Sequence, residues 1–239
     1  MLLTPIESWE FKQFVDPIRT DDDHVLYGSP FGTFYGRRED WSSLGVVILE
    51  EISGVYERPP VLIESGDVVL DLGANLGTFT RVAMNAKARL VVAFEADPDN
   101  ARCFRRTFRE ELAQGSVILI EAPAWSERGT VHFSGHGLEG QVAAQGRPME
   151  AVTVDSVVRD LGLTAVDFIK SDIEGAERHM LAGAAETIAR FAPDLAISAY
   201  HFPDDPQVLK DIVTKFHPYR VTWDKGQKRM FCHSPKAPR

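Results

Sequence analysis

Only two cysteines, Cys103 and Cys232, occur among the 239 residues, without a CxxC pair or a disulfide-like spacing. Neither a disulfide framework nor a zinc knuckle is indicated, and a reducing compartment is expected. Long apolar runs are also missing: no stretch approaches the roughly 18 uninterrupted apolar residues that suggest a membrane span. The opening residues, MLLTPIESWEFKQFVD, place no basic leader ahead of an apolar segment. These features predict a cytoplasmic protein with no membrane association. Positive charge is scarce, with 26 Lys and Arg against 35 Asp and Glu, a formal net charge of −9. Backbone-phosphate binding rests on lysine and arginine, so nucleic acid is not an expected partner. Small molecules or neutral glycans are, and nothing in the sequence speaks to oligomeric state.

What is present is an ordinary globular composition, 44% hydrophobic and 26% charged, over a length that suits one principal core. Residues 1–60 are rich in aromatics and turn formers and read as a cap or lid. They end in SLGVVILEEISGVYERPP, an amphipathic helix pattern expected to stop at Pro59 and Pro60. From residue 61 to 239 short β-branched runs alternate with helical segments, the pattern of parallel strands joined by crossover helices. The runs are DVVLDLG, LVVAFEA, SVILIEA, VDFIKSD and DLAISAY, followed by YRVTWD and RMFC around an expected antiparallel edge pair at Asp224–Gly226. Ala176, Met180, Leu181, Ala184, Ile188 and Phe191 form one apolar stripe, predicting a single helix after Asp172. The glycine-rich stretch 135–147 reads as a mobile loop. The expected fold is therefore α/β, a doubly wound and mostly parallel Rossmann-like sheet with an antiparallel C-terminal edge strand and an N-terminal cap.

The strongest local signal is GDVVLDLGANLGTFT, an apolar strand running into Asp71 and then Gly73, Ala74, Asn75, Leu76 and Gly77, with a helix from about Thr78. Glycines there permit a tight turn and close approach of a ligand to backbone. The next strand ends at Glu95 and Ala96, with Glu95 lying 24 residues beyond Asp71, where a carboxylate accepts hydrogen bonds from ribose hydroxyls. The GxGxxG fingerprint of dinucleotide folds is absent, and Asp71 beside the turn suits a cationic ligand better than a pyrophosphate. Both features favour S-adenosylmethionine over a nicotinamide cofactor. After the third strand, Ala122 and Trp125 are candidates to hold and stack on adenine, core packing being the alternative for Trp125.

Taken together, VVLDLGANLGTFT, AFEADPDN, VTVDSVV, VDFIKSDIEGAE and AISAYHFPDD resemble the FkbM-type family of S-adenosylmethionine-dependent methyltransferases, over about residues 60–215. The resemblance implies a class I methyltransferase fold and O-methylation of a hydroxyl on a sugar, polyketide or other natural product. It implies Gly73, Asn75 and Gly77 at the cofactor turn, Glu95 at the ribose and Asp172 at the floor of the reaction site. The first 60 residues match only loosely.

Transfer of a methyl group to an alcohol needs alignment and removal of a proton, by a base or with a metal. Asp172 and His201 end the fourth and fifth strands, on the crevice side of a doubly wound sheet. His201, with an ordinary pKa near 6.5, is the expected general base; a loop-capping role is its alternative. Asp172 is expected to orient the acceptor, contact the cofactor amine or bind an ion, an N-cap being its structural role. Lys170 in an apolar run is expected to pair with Asp172 or Glu177, or to be catalytic. Asp172, Glu174, Asp204, Asp205 and His201 are candidates for a magnesium site. His24, His132 and His136 read as loop residues, His136 being a distant candidate base. An oxidoreductase using nicotinamide and a non-catalytic S-adenosylmethionine-binding module are the competing functions.

Overall fold

The computed structural model describes residues 16–21, 24–135, 140–226 and 228–234. An antiparallel meander opens the described chain: β1 (Asp16–Asp21), β2 (His24–Ser29) and β3 (Gly32–Gly36). Alternation along β2 and β3 turns Val25, Tyr27 and Phe34 inward, onto Leu44 and Ile48 of α1 (Trp41–Ile52) and onto Leu76 and Cys103. The aromatic and glycine-rich segment that reads as a lid is thus a small sheet sharing a hydrophobic cluster with the rest of the chain. The helix α1 ends earlier than its sequence suggests. Gly54, at φ +65°, turns the chain before Pro59 and Pro60 are reached, as left-handed glycines commonly do at helix ends.

A seven-stranded sheet follows, in the order β12-β13-β11-β10-β4-β5-β6. Its members are β4 (Val68–Leu72), β5 (Leu90–Phe94), β6 (Val117–Ile120), β10 (Phe168–Ser171), β11 (Asp194–Ser198), β12 (Arg220–Trp223) and β13 (Arg229–His233). Each strand-like run of the sequence occurs as a strand, and the five from β4 to β11 pair in parallel. The β12–β13 hairpin supplies the antiparallel margin, with β13 inserted between β11 and β12. Central strands buried on both faces explain the continuous apolar runs. Leu70, Leu72, Val92 and Phe94 pack under α5 (Val154–Asp160), α6 (Glu177–Ala182), α7 (Ala185–Phe191) and α8 (Asp205–Phe216). Val69, Val91 and Phe168 pack under α2 (Thr78–Asn85), α3 (Pro98–Thr107) and α4 (Arg109–Gln114), through Phe79, Phe104 and Phe108. Full burial of each such side chain stabilises the fold by about 1.5–3 kcal/mol.

Two expectations are corrected by packing. The single helix after Asp172 is two, α6 and α7, parted at Gly183, where a Cβ would lie 2.1 Å from the carbonyl oxygen of Trp125. The apolar stripe survives the break because both helices lie on the same sheet face. The expected mobile loop is partly strand: β7 (Gly129–Ser134), β8 (Gln141–Ala143) and β9 (Arg147–Ala151) form a second antiparallel sheet. His132 lies in β7 and His24 starts β2, so neither is a loop residue; His136 lies outside the described residues.

Because β4 leads to β5 and β6 on one side while β10 and β11 lie on the other, the strand order reverses between β4 and β10. Ligands of doubly wound sheets bind in the crevice at the carboxyl ends of such strands. Gly73 follows β4 and Asp172 follows β10 at that point.

Candidate active site

The turn after β4 is shaped by close contact. Gly73, at φ +78°, sits so near the neighbouring strand end that a Cβ would fall 1.9 Å from the carbonyl oxygen of Asp172. Its amide and that of Ala74 both donate to the Phe94 carbonyl, at 3.0 and 2.9 Å. Asn75 adopts φ +51° and donates its amide to Glu95 Oε2 at 2.7 Å, while Asp97 N donates to Glu95 Oε1 at 2.7 Å. Each carboxylate oxygen keeps a second lone pair. Burial pushes Glu95 up to about 7, against the two amides that favour its charged form.

One cleft runs along these strand ends, about 920 Å³ including its solvent-open mouth. Gly73, Ala74, Asn75 and Thr78 form one wall, with Glu95, Ala96 and Ala122 continuing it; Lys170 and Asp172 line it at the β10 end. Residues that sequence reasoning did not single out complete it. Glu50, Glu51 and Tyr56 come from α1 and the segment after it, and Phe133, Gln141 and Val142 come from the β7–β8 hairpin. Acid side chains dominate, with Glu50, Glu51, Glu95, Asp172 and Glu174 against the single cation Lys170 among the described lining residues.

Four of the expected site residues stand behind or beside this wall. Asp71 is fully buried and accepts from Thr80 Oγ1 at 2.7 Å and Lys170 Nζ at 3.1 Å, so it does not face a ligand. A Cβ on Gly77 would meet the Phe108 ring at 2.1 Å, which makes that glycine a packing requirement of the turn. Trp125 stacks on His179, centroids 3.9 Å apart, off the cleft wall. His201 lies just beyond Asp172.

Lys170 pairs with Asp71, not with Asp172 or Glu177, because parallel register sets Lys170 beside Asp71. It also donates to the carbonyls of Gly73 at 2.8 Å and Leu72 at 3.3 Å. Although burial opposes its charge, Asp71, Asp172 and Glu51 hold its pKa above the usual lysine value. An ammonium with three engaged donors is a structural cation that anchors the turn, so the catalytic lysine is set aside.

Asp172 is not an N-cap, since α6 begins only at Glu177. Its carboxylate accepts from Tyr56 Oη at 2.6 Å and from Tyr200 Oη at 3.2 Å. Burial, then the Asp172 charge, push both phenols above their ordinary value. His201 places Nε2 at 3.4 Å from Glu174 and 3.7 Å from Asp172, and Nδ1 at 3.3 Å from Glu177. Neither ring nitrogen makes an aligned hydrogen bond. Burial works against its protonation, but Glu174, Glu177 and Asp172 outweigh it and raise His201 to about 10. The expected neutral base thus sits among three carboxylates that favour its protonated form. Asp172, Glu174 and His201 offer ligand atoms within 4.8 Å of one another, a set able to hold a metal ion. Asp204 and Asp205 are excluded from it, both being paired with Arg178.

The raised His201 pKa makes a stability prediction. Its contribution is complete below its unfolded value near 6.5 and is lost as pH rises through about 10. The melting temperature should fall between pH 7 and 10 more steeply in the wild type than in His201→Gln. Parallel profiles would show that the folded ring is neutral.

The FkbM methyltransferase domain matches residues 71–222. The chain belongs to the FkbM methyltransferase family. The crystal structure of an FkbM methyltransferase from Methylobacillus flagellatus is similar, with a TM-score of 0.57 at 20% identity, covering 83% of this chain and 56% of that one. Aeropyrum pernix fibrillarin, solved with natively bound S-adenosyl-L-methionine, superposes with a TM-score of 0.48 at 11% identity, covering 91% and 96%. A curated relative is the AMB antimetabolite synthetase AmbE of Pseudomonas aeruginosa, 25% identical over 177 residues, 55% of this chain but only 8% of that protein. The family domain begins at Asp71, so Glu50, Glu51 and Tyr56 reach the cleft from outside the matched region. No helix among the described residues is long and apolar enough to cross a membrane.

Proposed function

We propose that this FkbM-family protein is an S-adenosylmethionine-dependent O-methyltransferase, acting on a hydroxyl of a small molecule, sugar or natural product. The observation that carries the reading is the convergence of the Gly73–Asn75 turn, Glu95 and Asp172 on one acid-rich cleft at the strand ends. Five acids facing one already engaged lysine suit a ligand bearing a sulfonium and an ammonium, and disfavour a pyrophosphate. The absence of a Cβ at Gly73 lets the turn close directly against the backbone of Asp172, which brings the two strand ends together at the cleft. The partial match to an antimetabolite synthetase is in keeping with a natural-product acceptor.

In this reading Glu95 receives the ribose hydroxyls and the Gly73–Asn75 backbone bounds the adenosine half. When bound, the cofactor supplies an electrophilic methyl group on sulfur. Asp172, at the end of β10, orients the acceptor hydroxyl and takes its proton. Tyr56 and Tyr200 hold that carboxylate in place, and the His201 ring lies beside Asp172 and Glu174. Alignment of the reactants contributes about 7–11 kcal/mol in well-oriented systems.

Calorimetry with S-adenosylhomocysteine and with NAD tests the assignment. Binding of the homocysteine compound with none of NAD is expected, and the reverse would overturn it. Glu95→Ala should weaken S-adenosylhomocysteine binding by about 1.5–3 kcal/mol for each ribose hydrogen bond lost; an unchanged affinity would remove Glu95 from the ribose site.

A further inference from the structure

Of the five acids in the cleft, Glu51 has been given no individual role above. It is 8% exposed and lies on the cleft wall, and its carboxylate makes no hydrogen bond to a described residue. The charges that face it are Lys170 on β10, Asp71 on β4, Glu50 on its own helix and Arg229 on β13. Neither Lys170 nor Arg229 is hydrogen-bonded to its carboxylate. Lys170 commits its donors to Asp71, Leu72 and Gly73, and Arg229 lies against Glu50 at 3.6 Å and Asp224 at 3.7 Å. A buried carboxylate without a partner is costly and persists only protonated or with a cation beside it. Burial first, then Asp71 and Glu50, raise Glu51 to about 8 against the pull of Lys170 and Arg229.

The position within the cleft says which cation. Glu95 and Asn75 mark the adenosine side of the wall, while the helix carrying Glu51 meets Arg229 through Glu50, and Arg229 and Lys170 both lie over the ring of Tyr56, which bonds Asp172. Resting on the reading of this cleft as the S-adenosylmethionine site, we infer that Glu51 receives the α-ammonium group of the cofactor's amino-acid end. Binding then exchanges a proton on Glu51 for the ligand's positive charge, so cofactor uptake is coupled to proton release. The helix that carries Glu51 lies before the matched family domain, and the N-terminal segment therefore contributes directly to cofactor affinity.

The test uses the full chain and two ligands, S-adenosylhomocysteine and 5′-methylthioadenosine, the second lacking the amino-acid end. Glu51→Gln replaces a protonated carboxyl with an amide of the same shape. It should weaken S-adenosylhomocysteine about 10- to 100-fold, the range for loss of a charged hydrogen bond, and leave methylthioadenosine within twofold. Calorimetry in buffers of different ionisation enthalpy should show close to one proton fewer released per site at pH 7 in the variant, the remainder arising from Glu95. Equal weakening of both ligands, or an S-adenosylhomocysteine affinity and proton count like those of the wild type, would overturn the inference. Failure of the wild type to bind either ligand would instead overturn the cofactor assignment itself.

Discussion

Lys170→Met should lower the unfolding free energy by about 3–5 kcal/mol, the usual cost of removing one partner from a buried ion pair. Asp71 would keep only the Thr80 hydroxyl at zero exposure, and the carbonyl of Gly73 would lose its donor. Denaturant unfolding gives the measurement, as a lower midpoint at constant slope. A loss below about 1 kcal/mol would mean that the pair is not charged in the folded protein. The double variant Lys170→Met with Asp71→Leu separates charge from shape. Replacing a whole buried pair by apolar groups is often neutral, so it should recover much of the loss.

The second large effect is on turnover. Asp172→Asn keeps an acceptor for Tyr56 and Tyr200 but removes the charge, and it should reduce methyl transfer by about 10²- to 10⁴-fold, the range for loss of general base assistance. S-adenosylhomocysteine affinity should change far less, because the ribose contact is assigned to Glu95, at the end of a different strand. Single-turnover transfer to a hydroxylated acceptor, set beside calorimetry, separates the two. A rate near that of the wild type would move proton removal to another group, and equal losses in affinity and rate would make Asp172 a cofactor contact.

The parts of this molecule that were legible in its sequence are those with local causes. Apolar β-branched runs could only be doubly buried strands, and Gly73 and Gly77 mark a bend that residues with a Cβ would obstruct. Glu95 and Asp172 could be placed at strand ends by counting. The misreadings have tertiary causes. The acidic charge of Asp71 suggested a ligand contact, whereas strand register hides it beneath Lys170. Histidine chemistry suggested a neutral His201, whereas three carboxylates from the strand end and α6 gather around the ring. Gly183 divides the helix under an unbroken apolar stripe because of a backbone more than fifty residues away. No local signal marked Glu51 or Tyr56 as lining residues, since a buried acid on an amphipathic helix looks like any surface glutamate until the surface it meets is known.

The order of residues alone determined the strands, their parallel winding and the ligand-side turn, because periodicity and glycine geometry act over a few neighbours. Which acids face the cleft, which lie sealed behind it and which carry a proton were decided by the tertiary structure. Those properties depend on desolvation and on charges brought together from distant segments, and neither exists before the chain has packed.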